Sequence, residues 1–167
     1  MNRNSIDSKS ELKEIIAKSK GIVVGDDAEC PDVFCLIQDN DNLYGLIGFG
    51  GGVRPVILKT RSNKIIAAIG DKLYIFENKN VIFVFDNQSY LIDEVILLNE
   101  EEFVLLSQLD IKKINIELKA VVWSRDFNFI ENYTIENNII EIETETDGYY
   151  KCIIRENGDI LVTQLKK

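Results

Sequence analysis

Histidine is absent from all 167 residues of the chain. Imidazole is the one side chain that titrates unperturbed near neutral pH, so Ser-His-Asp and Cys-His nucleophiles and HExxH metal sites are excluded. Carboxylate, Lys, Tyr and Cys chemistry remain open to an enzyme, but none of these residue types stands in a diagnostic spacing. Cysteine is scarce and odd in number, with Cys30, Cys35 and Cys152. The start of the chain, Met1 to Ser8, has no apolar stretch behind a basic one, so no secretory leader is read there. The three thiols are then expected to be reduced and to serve as small buried hydrophobes. A C-x4-C pair without histidine is a poor zinc half-site, and neither metal nor cofactor is expected.

Long apolar runs are also missing. The segment Val81-Ile82-Phe83-Val84-Phe85 is typical of the longest, far below the roughly 18 to 20 residues a bilayer span needs. A cytoplasmic location with no membrane contact is the expectation. Proline (2) and methionine (1) are rare while Ile and Asn abound, a bias of AT-rich bacterial genomes.

What is present is enough apolar content, 46%, for one domain over residues 1–167. Ser8-Lys9-Ser10-Glu11 forms a capping-box pattern, followed by Leu12, Ile15 and Ile16 on one helical face and Gly21 as a stop, which predicts a helix over about 9–20. Beyond Gly21 the period shortens. Runs of Val, Ile, Phe and Tyr alternate with turn signals such as Asn78-Lys79-Asn80, Asn137-Asn138 and Asn157-Gly158. These predict strands near 22–24, 33–38, 43–49, 53–59, 64–69, 72–77, 80–85, 90–98, 103–108, 112–118, 120–124, 133–136, 138–146, 149–155 and 159–164. Segment 90–110 is the exception, since Ile92, Val95 and Ile96 also fit a helix face. The fold class expected is mainly β, an antiparallel meander with blade-like or sandwich packing and one short N-terminal α-helix.

A repeat is visible: residues 76–82 resemble residues 155–161, 79 positions on, and Asn63 to Ile66 has its counterpart in Asn137 to Ile140. That offset is about two four-stranded blade units of roughly 40 residues. A partial propeller or curved meander fits it better than a complete propeller, and shared hairpin chemistry explains it as well.

Charge is blocked. Residues 26–53 hold six acids and no base, 86–110 seven acids and no base, and 54–85 six bases against two acids. The net charge of −9 repels phosphate, so no nucleic-acid partner is expected. Glu141, Glu143, Glu145 and Asp147 alternate with Ile142, Thr144 and Thr146, which on one strand sets four carboxylates on one face. Trp123, the sole tryptophan, stands two residues before Arg125 and is read as a core anchor or an interface residue. Gly45, Gly48, Gly50, Gly51 and Gly52 precede Arg54, but Val53 to Leu58 reads as strand, so the segment lacks the helix of a phosphate loop. Asp26, Asp27, Glu29 and Asp32 do not match an EF-hand spacing.

The favoured expectation is a non-enzymatic acidic domain that binds another protein with a basic surface through Glu141, Glu143, Glu145, Asp147, Trp123 and Arg125. An immunity or inhibitor protein that neutralises a basic bacterial toxin is one such case. The alternatives are a small-ligand binder or histidine-free enzyme built on Gly50, Gly51, Gly52 and Arg54 with the acids of 26–32, and a scaffold with partial propeller-like repeats. A concave pocket joining those two segments favours the first alternative; a flat acidic or aromatic patch favours protein binding.

Overall fold

The computed structural model describes residues 1–50, 52–88 and 90–165. The first sheet has strands β1 (Asn2–Ser5), β2 (Ile22–Val24), β3 (Val33–Asp39) and β4 (Asn42–Gly48) in the order β1-β3-β4-β2, with α1 (Lys9–Ser19) between β1 and β2. The other three are plain meanders: β5 (Val56–Lys59), β6 (Ile65–Ile69), β7 (Lys72–Glu77) and β8 (Asn80–Asp86), then β9 (Ile92–Leu97), β10 (Glu102–Ser107), β11 (Asp110–Asn115) and β12 (Ala120–Asp126), then β13 (Ile130–Glu136), β14 (Ile139–Thr144), β15 (Gly148–Ile154) and β16 (Ile160–Leu165). The chain is mainly β, as expected. Segment 90–110 is strand, and the four sheets follow one another like blades.

Local chemistry explains most boundaries. The Ser8 side chain accepts from the Glu11 N–H at 3.2 Å and starts α1. The helix ends on Lys20 at φ 52, so the left-handed cap is lysine and not the expected Gly21. Asn78 and Lys79, and Asn137 and Asn138, all have positive φ (48, 64, 49 and 65) and make the tight turns β7–β8 and β13–β14. Two strand expectations are corrected. β1 is an unforeseen strand whose four side chains are all exposed and which is held through its pairing with β3. β2 runs parallel to β4, because α1 is a crossover that returns the chain in the same direction.

The core lies between layers. Leu12 and Ile16 of α1 pack on Leu36 and Ile47 of the first sheet. Ile37 and Leu46 meet Ile65 and Phe76 between the first and second sheets, Leu73 and Ile75 meet Phe103 and Leu105 between the second and third, and Val104 and Leu106 meet Ile140 and Cys152 between the third and fourth. The middle strands of the second and third sheets are therefore buried on both faces, and β6 and β10 read as near-continuous apolar runs. Each fully buried side chain of this size contributes about 1.5–3 kcal/mol.

The 79-residue repeat now has a structural meaning. Residues 76–82 form the β7–β8 turn of the second sheet and residues 155–161 the β15–β16 turn of the fourth, the same hairpin two sheets apart.

Candidate functional site

Because the meanders are antiparallel, the connections that follow β2, β4, β6, β8, β10, β12 and β14 gather at one end of the stack, here the loop end, and those that follow β3, β5, β7, β9, β11, β13 and β15 gather at the other. Backbone bonds tie neighbouring sheets together at the loop end: the Ile92 N–H donates to Gly70 O (2.8 Å) and the Ile130 N–H to Gln108 O (2.8 Å).

Between the first three sheets the loop end opens into a cleft of about 610 Å³ lined by Asp27, Glu29, Phe49, Asp71, Asp86 and Gln108, with Lys72 and Tyr74 below. Gly25 turns the chain out of β2 at φ +75, where an added Cβ would lie 1.8 Å from Ile47 O, so the acidic segment 26–32 leaves the sheet as it does only with glycine there. Lys72 reaches Asp27 at 3.6 Å, while Lys9 and Lys13 of α1 hold Asp26 at 2.8 and 2.7 Å. The remaining carboxylates of the cleft have no ion-pair partner among the described residues. Their field is felt inside: the Tyr74 hydroxyl is pushed up to about 12, first by burial and then by the charges of Asp27, Asp71 and Asp86. Phe49 stands at the rim 51% exposed, and Tyr90 (40%) and Phe129 (46%) are exposed in other connections of the same end.

A second cleft, of about 720 Å³, runs where β1, β5, β9 and β13 converge, and its walls include Arg3, Arg54, Asp93, Glu94, Glu131 and Tyr133. The Arg3 guanidinium donates to Pro55 O at 2.8 Å, fixing β1 against the segment that leads into β5.

The residues singled out in the sequence fall in several places. β14 ends at Thr144, whose hydroxyl accepts from the Asp147 N–H (3.2 Å) and donates to Gly148 O (3.0 Å), so the strand is shorter than 138–146. Only Glu141 and Glu143 share the outer face of the fourth sheet, and both are engaged, Glu141 by Lys151 at 3.2 Å and Glu143 by the Tyr149 hydroxyl at 2.5 Å. The expected stripe of four is corrected: Glu145 and Asp147 lie in the connection after β14, at the loop end. Trp123 is half-buried and packs on the core between the third and fourth sheets, while Arg125 is exposed on the same outer strand.

Gly45 and Gly48 belong to β4 and are buried in its packing. Gly50 is held by its N–H on the Asp32 carboxylate at 2.5 Å, Gly52 is exposed at φ +90, Arg54 lines the second cleft, and Gly51 lies outside the described residues. Asp27 and Glu29 do share a concave cleft with Phe49, so the acidic and glycine segments meet, but Arg54 faces the other cleft.

No family model matches the chain, and no curated protein matches it in sequence. Among solved structures it is similar to the N-terminal domain of Nup159 (9% identity, TM-score 0.46, 65% of this chain and 29% of that one). It is similar also to the WD40 β-propeller domain of Doa1 (16%, 0.45, 77% and 53%) and to the WD40 domain of SCAP from fission yeast (10%, 0.39, 78% and 40%). The chain spans less than two thirds of the length of each.

The buried thiols Cys35 and Cys152 are both pushed up to about 11 by burial and are protonated at neutral pH, which removes them as nucleophiles. Cys30, expected to be buried, is exposed because it lies in the connection after β2. Phe49, Asp71 and Asp86 were missed as site residues. The one sequence signal for Phe49 and Asp86 was the base-free blocks at 26–53 and 86–110, whereas Asp71 stands in the basic block 54–85 and had none.

Proposed function

We propose that the chain is a non-enzymatic protein-binding domain whose loop end takes a partner with a basic surface. The observation that carries this is the acidic cleft with Phe49 at its rim: carboxylates from two connections and from the end of β8 converge on one opening beside an exposed aromatic ring. Such a site steers a cationic partner and then anchors it by desolvating the ring. The immunity or inhibitor reading is the special case in which that partner is a basic toxin, and it rests on charge alone. The exposed Cys30 thiol fits a reducing, cytoplasmic setting.

The test uses capture from the source lysate with three baits: the native chain, a loop-end variant (Phe49→Ala with Asp71→Asn), and an opposite-end variant (Leu118→Ala with Glu117→Gln). The proposal expects a basic protein to be retained by the first and third baits and lost by the second. Retention by all three, or loss with the opposite-end variant alone, overturns it.

A further inference from the structure

The second cleft sits on the axis of the sheet stack, and its acidic wall is built by a repeated backbone device. In β9 the pairing jumps from Leu106↔Glu94 to Ser107↔Ile92, which leaves Asp93 as an extra residue; in β13 it jumps from Ile130↔Thr144 to Asn132↔Glu143, which leaves Glu131. Each is a one-residue β-bulge at the second position of the innermost strand of its sheet. Strict alternation would send one of each neighbouring pair back between the sheets, whereas a bulge lets two consecutive side chains face the same way. Asp93 with Glu94, and Glu131 with Asn132, thus all line the cleft.

β5 has no such bulge, and the wall there is basic: Arg54 and Arg3 line it. Among the described residues no ion pair joins the two arginines to the three carboxylates, so the cleft holds separated charges of both signs, facing one volume of about 720 Å³. Asp93 is half-buried, and its carboxyl is held above its ordinary range by burial and then by the charge of Glu94, the behaviour of an anion that lacks a cation. Half-buried Tyr133 and exposed Phe129 add aromatic wall, and the cleft's volume falls within the roughly 300–1,000 Å³ of ligand pockets.

We infer that the axial cleft binds a basic amino-acid residue with a free α-carboxylate, its cationic side chain set against Asp93, Glu94 and Glu131 and its carboxylate against Arg54. The charge pattern selects this class. A polyamine meets the arginines, a phosphate or dicarboxylate meets the acids, and an uncharged ligand leaves both sets without partners. The same chemistry is offered by free arginine or lysine and by the C-terminal residue of a peptide. The inference does not depend on the protein partner, whose cleft is lined by other charged residues.

Calorimetric titration with L-arginine, with acetyl-Gly-Gly-Arg and with the C-terminal amide of that peptide tests it. The account expects saturable binding of at least one free-carboxylate ligand, at least tenfold weaker binding of the amide, and at least tenfold losses for Arg54→Gln and for Glu131→Gln with melting temperature retained. Both substituted side chains are exposed, and Glu156→Gln at the opposite end serves as the control with unchanged affinity. Arginine binding as well as the peptide assigns the cleft to the free amino acid, and peptide binding alone assigns it to chain termini. No binding up to about 10 mM, beyond the weak end of specific affinity, or equal binding of the amide, overturns the inference.

Discussion

Carboxylates at the two ends of the sheet stack differ in what they touch. At the opposite end, Asp39 and Glu100 join neighbouring sheets. Asp39, 6% exposed, accepts from Lys59 at 2.8 and 2.9 Å across the first and second sheets, and Glu100 accepts from the N–H groups of Arg61 (2.9 Å) and Ser62 (3.0 Å) and from the Ser62 hydroxyl (2.5 Å) across the second and third. At the loop end, Asp26 is held by lysines of α1, and Asp110 by Lys112 and Ser107, but the carboxylates of the two clefts are left mostly open.

Proton affinities record the contrast. Hydrogen bonds, first from the Ser62 hydroxyl and then from its N–H, hold Glu100 down at about 2, while burial and Glu94 raise Asp93. Asp39 and Glu100 are tied into the fold, whereas Asp93 has no ion-pair partner among the described residues.

Four substitutions press on this difference. The largest effect belongs to Asp39→Ala, which leaves the Lys59 ammonium half-buried without its partner; urea unfolding should show a loss of about 2–3 kcal/mol, less than for a fully buried pair because Lys59 keeps some solvent. Asp71→Asn in the acidic cleft should stay within about 0.5 kcal/mol. Equal losses at both sites would erase the distinction.

Glu100→Gln gives a smaller, pH-dependent effect. A carboxyl whose folded value is depressed stabilises above its unfolded value and loses that contribution as pH falls. The melting-temperature deficit of the variant should therefore be full above about pH 5, shrink below the ordinary glutamate value of about 4.3, and vanish near about pH 2. A deficit independent of pH would remove the carboxylate from this role.

The smallest effect has the opposite sign. Asp93 is raised in the fold, so its ionisation costs stability above the folded value and the cost is relieved as pH falls below its ordinary range. Asp93→Asn should melt slightly higher than the native chain at pH 7 and no higher at pH 3. A lower melting temperature at pH 7 would show that the carboxylate is structural.

Much of this fold could be read from local chemistry. Ser8, Glu11 and the Leu12-Ile15-Ile16 face encode α1, and the Asn pairs encode the turns. β1 escaped because Asn2, Arg3, Asn4 and Ser5 bury no side chain and are held by a distant strand. The length of β14 escaped because Thr144 ends it through its hydroxyl, which alternation of Glu and Thr does not encode. The sites were less legible, since the acidic cleft joins residues from three sheets. The bulges leave only the trace Ile92-Asp93-Glu94 and Ile130-Glu131-Asn132, two short segments whose kinship appears once the sheets are aligned.

The central claim, that the loop end recognises a basic partner, is tested most directly by the association rate of the captured protein with two matched variants. One carries Asp27→Asn, Asp71→Asn and Asp86→Asn at the acidic cleft; the other carries Asp41→Asn, Glu101→Gln and Glu156→Gln at the opposite end. At low salt the first should associate about tenfold more slowly than the native chain and the second within about twofold, and the gap should narrow at 0.15 M salt, where charges are screened beyond about 8 Å. Equal rates for the two variants at low salt would contradict the account.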